Sequence, residues 1–142
     1  QSARLDATVL EVMRQTPPGG GFFRRSLRKI ELADVEVPEN SVIQVALSPS
    51  GQTDSSDLAN FRPQRHLDGS FDQTLLPFGG GERVCLGKAL AELEIRLMVV
   101  GLLQKVELQL EPDQDLSLQL VPSPSPRSGL RVSAMPTTDR HP

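Results

Sequence analysis

The sequence has few residues of several types, and each shortage narrows what the protein can do. It has one cysteine, two histidines and no tryptophan or tyrosine in 142 residues. One cysteine cannot form a disulfide within the chain, and neither histidine has the spacing to Cys85 that a zinc site needs. No apolar run approaches the roughly 20 residues of a membrane-spanning helix. The formal net charge of −3 gives no electrostatic reason to expect nucleic acid as a partner.

Length and composition favour one small globular domain. A chain of 142 residues can bury a core, and 37% of its residues are hydrophobic. We expect one domain over residues 1–136 and a disordered tail over residues 137–142. A single cysteine is compatible with a reducing compartment. No signal peptide is recognisable after Gln1, which stands where an initiator methionine would be.

The cysteine, Cys85, stands between a glycine-rich loop and an apolar segment. Three consecutive glycines at 79–81 suit a backbone that bends through positive φ or passes close to a flat ligand. After Leu86, leucine and other apolar residues recur at steps of three and four. This spacing predicts a helix from Cys85 or Leu86 to about Gln104, with an apolar stripe facing a core.

Cys85 is a candidate thiolate ligand to iron. A sulfur at a helix start lies near unpaired amide groups and the positive end of the helix dipole, which favour thiolate over thiol. Arg83 adds a permanent positive charge that suits a carboxylate partner. Two alternatives stay open: a free cysteine with a packing role, and a Cys–His nucleophile pair that uses His66 or His141.

Residues 78–87 carry a specific motif. They read Phe-Gly-Gly-Gly-Glu-Arg-Val-Cys-Leu-Gly, which resembles the heme-binding signature F-x-x-G-x-R-x-C-x-G of the cytochrome P-450 family at every fixed position. Ala91 and Glu94 fit its continuation, C-x-G-x-x-x-A-x-x-E. The resemblance implies heme b, iron protoporphyrin IX, as the cofactor and Cys85 as the axial iron ligand. It also implies a set of cofactor-binding residues: Arg24, Phe78, Gly79, Arg83, Cys85, Gly87 and Ala91.

Glu11 and Arg14 extend the resemblance. They lie three residues apart on a predicted helix, Leu5 to Gln15, and match the family's E-x-x-R motif, which precedes the cysteine loop. Arg65 stands at the arginine of the family's F-x-P-x-R segment, here residues 61–65. The resemblance implies that Glu11, Arg14 and Arg65 form a structural latch shaping the heme-side core. The alternative is an exposed helix pair worth about 0.3 kcal/mol.

Arg24 follows a run of three glycines and two phenylalanines. This segment resembles the one in which a family arginine, after Gly-Phe, reaches a heme propionate. Arg25 is the alternate, and two solvated arginines at the start of a strand are the simpler explanation. Together with the cysteine loop, the segment resembles the retinoid- and sterol-metabolising branch of the family and its bacterial relatives.

Short strands are predicted around these motifs. Ile30–Val37, with a turn or bulge at Ala33–Asp34, and Val42–Leu47 are interpreted as a β-hairpin. Residues 48–57 are polar, without regular structure, and lack the family's usual H-x-D-P at 53–56. Three strands are predicted after the helix, with a proline-rich loop at 122–128 before the last: Val106–Leu110, Leu116–Val121 and Leu130–Ala134.

The predicted fold class is α+β. The resemblance implies the C-terminal part of the mainly helical cytochrome P-450 fold: an E-x-x-R helix, a small β-sheet, the cysteine loop, a heme-proximal helix and C-terminal β-strands. The family's oxygen-activating helix is absent from the sequence, so we expect a fragment that is inactive alone and binds heme poorly.

The resemblance implies that the parent is a heme-thiolate monooxygenase. It would insert one oxygen atom of O₂ into an apolar organic substrate, retinoid-like or sterol-like, and reduce the other to water. Electrons would come from a ferredoxin or reductase, for which Lys88 is a candidate docking residue. The parent would be cytoplasmic if bacterial, and a membrane anchor in a missing N-terminus stays open. We expect no nucleic-acid partner and no membrane span in these residues.

Two other functions stay open. One is a heme-thiolate enzyme that uses peroxide or rearranges a hydroperoxide; such relatives often carry a disturbed cysteine loop, and the loop here is undisturbed. The other is a heme-free α+β module or inactive remnant, in which Cys85 is merely buried.

Overall fold

The computed structural model describes residues 2–47, 56–71, 75–119 and 123–137. Within these ranges the helices are α1 (Ser2–Gln15), α2 (Ser56–Ala59) and α3 (Lys88–Lys105). Single turns of 3₁₀ helix form at Pro63–His66 and Gly81–Arg83. The strands are β1 (Gly21–Arg25), β2 (Ile30–Leu32), β3 (Val35–Val37), β4 (Val42–Ala46), β5 (Val106–Leu110), β6 (Leu118–Gln119), β7 (Ser125–Pro126) and β8 (Val132–Pro136). This mixture of helices and small sheets confirms the α+β prediction.

The strands pair as antiparallel two-stranded sheets, and one predicted pairing is wrong. β4 pairs with β1, from Gly21 opposite Ala46 to Arg25 opposite Val42, and not with Ile30–Val37. β2 and β3 form a hairpin of their own. That hairpin turns at Ala33 and Asp34, whose φ angles of 47° and 64° lie in the left-handed region.

Ser26 explains why β4 returns to β1. This buried residue follows β1 directly, and its hydroxyl donates to the carbonyl of Pro38 at 2.6 Å. The same hydroxyl accepts the amide of Ser41 at 2.9 Å, and the two backbones exchange further bonds, including Ser26 N–H to the Ser41 carbonyl at 3.0 Å. Ser26, before the β2–β3 hairpin, is therefore hydrogen-bonded to Pro38 and Ser41 after it. These bonds bring β4 beside β1.

The face that α1 buries is partly charged. Ala7 and Met13 are buried, and so are Glu11 and Arg14. The helix packs against the 3₁₀ turn at Pro63–His66. It ends where the Thr16 amide bonds to the Val12 carbonyl, just before Pro17, which cannot continue the hydrogen-bond ladder.

The helix after the cysteine differs from its prediction at its start and in its burial. It begins at Lys88 rather than Cys85 or Leu86, because Gly87 serves as its N-cap, a position that glycine tolerates far better than a helix interior. None of its residues is buried. Leu90, Leu97 and Met98 are 60%, 64% and 73% exposed. The expected burial of an apolar stripe is therefore not found among the described elements.

The C-terminal strands form two sheets. β8 returns to pair with β5, Val132 opposite Leu110. β7 lies within the predicted loop at 122–128 and pairs with β6, so that part of the loop prediction is wrong. Thr137 is held by a bond from its amide to the Lys105 carbonyl at 3.1 Å. Residues 138–142 of the predicted tail, the departure at 53–55 and Leu116–Val121 beyond Gln119 lie outside the described residues.

Among the described helices, none is both long and apolar enough to cross a membrane.

Candidate functional site

A cleft of about 400 Å³ brings most of the proposed cofactor residues together. Arg24, Phe78, Gly79, Arg83 and Cys85 all line it. The remaining lining residues are mainly apolar or small: Pro18, Gly19, Gly21, Phe22, Leu47 and Pro77. Gly87 and Ala91, the other two predicted residues, are not among those that line it.

The cysteine loop folds back on itself through backbone bonds. The Cys85 amide donates to the Phe78 carbonyl at 2.8 Å, which closes the glycine-rich segment into a compact turn. Gly79 and Gly81 have φ angles of 73° and 65°, a region where a side chain would be strained. The glycines therefore permit a turn that presents an exposed Cys85 at the cleft.

Cys85 lies three residues before α3 rather than on its first turn. The Lys88 amide bonds to the Cys85 carbonyl at 3.2 Å, and the Ala91 amide bonds to the Gly87 carbonyl at 2.9 Å. Gly87 lies beside the sulfur, since a Cβ placed there would be in ordinary van der Waals contact with Cys85 Sγ at 3.8 Å. Gly87 and Ala91 thus belong to the join between loop and helix.

The opposite wall of the cleft comes from β1. Gly21 begins this strand, and a Cβ there would lie 2.3 Å from the Val45 carbonyl oxygen, so only glycine allows the close approach to β4. The guanidinium carbon of Arg24 lies 4.4 Å from the centroid of the Phe22 ring. Arg24 is exposed, which is compatible with the simpler explanation of a solvated arginine. It nevertheless lines the cleft.

Glu11, Arg14 and Arg65 meet in a buried network. Both Glu11 and Arg65 are at most 1% exposed. Arg14 donates to the two Glu11 carboxylate oxygens from Nε and Nη2, each at 2.9 Å. Arg65 Nε donates to Glu11 Oε1 at 3.1 Å. This geometry excludes the alternative of an exposed helix pair.

Sequence reasoning missed two members of this network. His66 Nε2 lies 2.8 Å from Glu11 Oε2, and its side chain is 5% exposed. Asp57 Oδ2 accepts from Arg65 Nη1 at 3.0 Å. The sequence signal that could have identified His66 was its position directly after Arg65. Its bond to Glu11 also removes His66 from the Cys–His alternative; His141 lies outside the described residues.

Glu11 is ionised at neutral pH. Burial raises the pKa of its carboxyl group, but bonds from the Arg14 side chain, the Arg62 amide and His66 lower it by more, to about 2. The Arg62 amide donates to Glu11 Oε1 at 2.9 Å. The network therefore holds a carboxylate between two permanent cations.

A cysteine and two arginines line one largely apolar cleft, and this arrangement is the kind that heme-thiolate proteins use. The family model of cytochrome P450 matches residues 4–130. The chain therefore belongs to the cytochrome P450 family.

Individual relatives agree with this assignment. Cytochrome P450 120 of Synechocystis sp. is 36% identical over 90% of this chain and 30% of its own length. Thromboxane-A synthase of Sus scrofa is 32% identical over 93% of this chain and 26% of its own length. The solved structure of retinoic acid bound cyanobacterial CYP120A1 is 35% identical, with a TM-score of 0.85 over 94% of this chain and 33% of that one.

The cytochrome P450 family has a common general chemistry. Cytochromes P450 bind heme b, act as heme-thiolate monooxygenases, take electrons from redox partners and bind small-molecule substrates. The chain spans about 30% of the length of the relatives it matches.

Proposed function

We propose that this chain forms the cysteine-ligand side of the heme pocket in a monooxygenase, with Cys85 as the axial iron ligand. The observation that carries the proposal is the placement of Cys85, Arg83 and Arg24 on one apolar cleft. A flat apolar ring with an iron at its centre and carboxylates at its edge fits such a donor set. When bound, the heme supplies the oxygen chemistry.

The residues of the cleft have distinct roles in this proposal. Cys85 holds the iron, and Arg24 and Arg83 bind the heme propionates. Neither arginine forms an ion pair with a carboxylate in the described ranges, so both charges are available to a ligand. Phe78 and Gly79, which line the cleft, would contact the ring, while Gly87 and Ala91 would fix the loop on α3.

Glu11, Arg14 and Arg65 serve as a scaffold and not as catalytic groups. They are buried, and none of them lines the cleft. The network joins α1 to the segment 57–66, which leads toward the cysteine loop. Its proposed role is to hold the β1 side and the cysteine side of the cleft at a fixed separation.

The chain is proposed to act as one part of a larger domain, with residues 1–136 as the heme-binding portion. The exposure of the apolar residues on α3 supports this, because exposed leucines in such number lack the burial that a stable core provides. Alone, the chain is expected to be inactive.

An apolar small molecule of the retinoid or sterol class is the proposed substrate. The support is the 35% identity to cyanobacterial CYP120A1, which was solved with bound retinoic acid. A ferredoxin or reductase is the proposed electron donor, and the surface around Lys88 is the proposed docking point. In a bacterial source, the enzyme is proposed to be cytoplasmic.

A second candidate is the rearrangement of a hydroperoxide without O₂. Its support is the similarity to a relative named for a synthase activity, thromboxane-A synthase. The intact glycine-rich loop around Cys85 favours the monooxygenase.

Oxygen-18 labelling separates the two candidates. A complete protein containing this chain is supplied with labelled O₂, a reductant, a redox partner and an apolar substrate such as retinoic acid. The monooxygenase proposal expects one labelled oxygen atom in the product and none without reductant. Product that forms from a hydroperoxide without O₂ or reductant would support the second candidate and overturn the first.

A further inference from the structure

Phe22 and Arg24 occupy neighbouring positions on the same side of β1. Residues two apart on a strand point to the same face, and both side chains line the cleft. The guanidinium carbon of Arg24 lies 4.4 Å from the Phe22 ring centroid, well within the range of a cation–π contact. Arg25, the next residue, points to the other face and is not among those that line the cleft.

The guanidinium of Arg24 makes one hydrogen bond within the protein and keeps other N–H groups for a ligand. Arg24 Nη1 donates to the Phe23 carbonyl at 2.9 Å, which fixes one corner of the group. No carboxylate of the described residues is paired with it. The ring and the carbonyl therefore hold an arginine whose other N–H groups remain able to donate to a ligand.

We infer that Phe22 is a positioning residue, whose ring holds Arg24 in the orientation that binds a carboxylate of a flat ligand in the cleft. This inference rests on the proposed function, in which that carboxylate is a heme propionate. A long arginine side chain loses rotamer freedom when it binds, and stacking in advance reduces that loss. Phe22 thus acts on the ligand through Arg24.

The test compares two iron porphyrins that differ only in their carboxylates. Hemin and hemin dimethyl ester are titrated separately into the heme-free form of a complete protein containing this chain, and the dissociation constants are read from the Soret band. In Phe22→Leu, affinity for hemin should fall about three- to fivefold, the size of an exposed cation–π contact, while affinity for the diester stays the same.

Three matched variants identify the mechanism. Phe22→Tyr keeps the π-face and should keep the parent affinity for hemin. Arg25→Gln changes the neighbouring charge on the opposite face and should leave the ratio of the two affinities unchanged. In an Arg24→Gln background, Phe22→Leu should cause no further loss, because coupled residues are non-additive. If circular dichroism shows that Phe22→Leu is unfolded, Phe22→Ile, which favours strands, replaces it.

Distinct results would overturn distinct claims. An equal loss of affinity for both porphyrins would mean that Phe22 only contributes apolar contact, and an unchanged affinity for hemin would mean that it contributes nothing. Either result ends the inference and leaves the proposed function standing. If neither porphyrin causes a Soret change in the complete parent protein, the porphyrin site and the proposed function fail, and the inference fails with them.

Discussion

At the residue scale, Glu11 is held by several hydrogen bonds at once. It is a fully buried carboxylate that accepts bonds from Arg14, Arg65, the Arg62 amide and His66. Arg14, Arg65 and His66 each place a side-chain nitrogen against this carboxylate. Removing Glu11 would leave cations buried without compensation, which is costlier than removing a surface ion pair.

Glu11→Ala is therefore expected to prevent folding of the heme-loaded protein. The buried arginines Arg14 and Arg65 would lose their carboxylate, at a cost of about 3–5 kcal/mol, comparable to the stability of a whole small domain. Soluble yield and heme content of a complete protein containing this chain measure the effect. Glu39→Ala, at an exposed turn position, is the control and should be close to neutral. Normal heme content in Glu11→Ala would show that the network is dispensable.

The pKa of Glu11 also predicts how stability depends on pH. Its pKa is near 4.5 in an unfolded chain and about 2 in the folded protein, so the folded state binds the proton less tightly. The resulting stabilisation, on the order of 3 kcal/mol, is complete above pH 4.5 and is lost as pH falls toward 2. Urea unfolding across this window should show a steeper loss in the parent chain than in Glu11→Gln. Identical slopes would contradict the depressed pKa.

The sequence indicated Glu11, Arg14 and Arg65 but could not reveal their burial. An E-x-x-R pair on a helix is equally compatible with a solvent-exposed helix surface. Glu11 and Arg14 are buried because α1 packs on the turn at 63–66. His66 was missed because its role depends on that packing, which brings together residues 55 positions apart in the chain.

At the scale of elements, local patterns predicted most of the strands, but not β7 and not how the strands pair. Val42–Ala46 was predicted as a strand, yet its partner is β1 rather than the nearer Ile30–Val37. The turn at Ala33–Asp34 already pairs β2 with β3. Ser26, before this hairpin, hydrogen-bonds to Pro38 and Ser41 after it. Our explanation for this pairing is the set of bonds from the Ser26 hydroxyl, which hydrophobic periodicity does not encode.

Ser26→Ala tests that explanation. The change removes three side-chain bonds, one of them a long contact of 3.4 Å, and leaves the Pro38 carbonyl and the Ser41 amide without their hydroxyl partner, at a cost of about 1–3 kcal/mol. Urea unfolding of the 142-residue chain measures the loss. Ser133→Ala on β8 is the matched control, because that exposed hydroxyl makes a single long contact of 3.5 Å. Equal stabilities for the two variants would show that Ser26 does not organise the sheet.

At the scale of the whole molecule, the apolar surface is distributed unusually. Ala7 and Met13 are buried, whereas Leu90, Leu93 and Leu97 on α3 are each more than half exposed. The stripe on α3 was predicted from its periodicity, but the periodicity could not say what covers it. The cleft at Cys85 is walled by β1, the segments beside it at Pro18, Gly19 and Leu47, and the cysteine loop.

The 142-residue chain is accordingly expected to purify without heme. A porphyrin in the cleft would keep much of its apolar surface in water, so little burial would hold it there. The heme-to-protein ratio of the purified chain, from the Soret band and total protein, measures this. Tight stoichiometric heme in the isolated chain would contradict the proposal that it is one part of a larger pocket.

The central claim is that Cys85 ligates the heme iron, and the spectrum of the reduced, CO-bound protein tests it most directly. The measurement uses a complete heme-loaded protein containing this chain, with Cys85→His beside it and Lys88→Ala as a neighbouring surface control. We predict a thiolate-type CO spectrum for the parent and for Lys88→Ala, and its loss in Cys85→His. A thiolate-type spectrum that survives in Cys85→His would show that another group holds the iron.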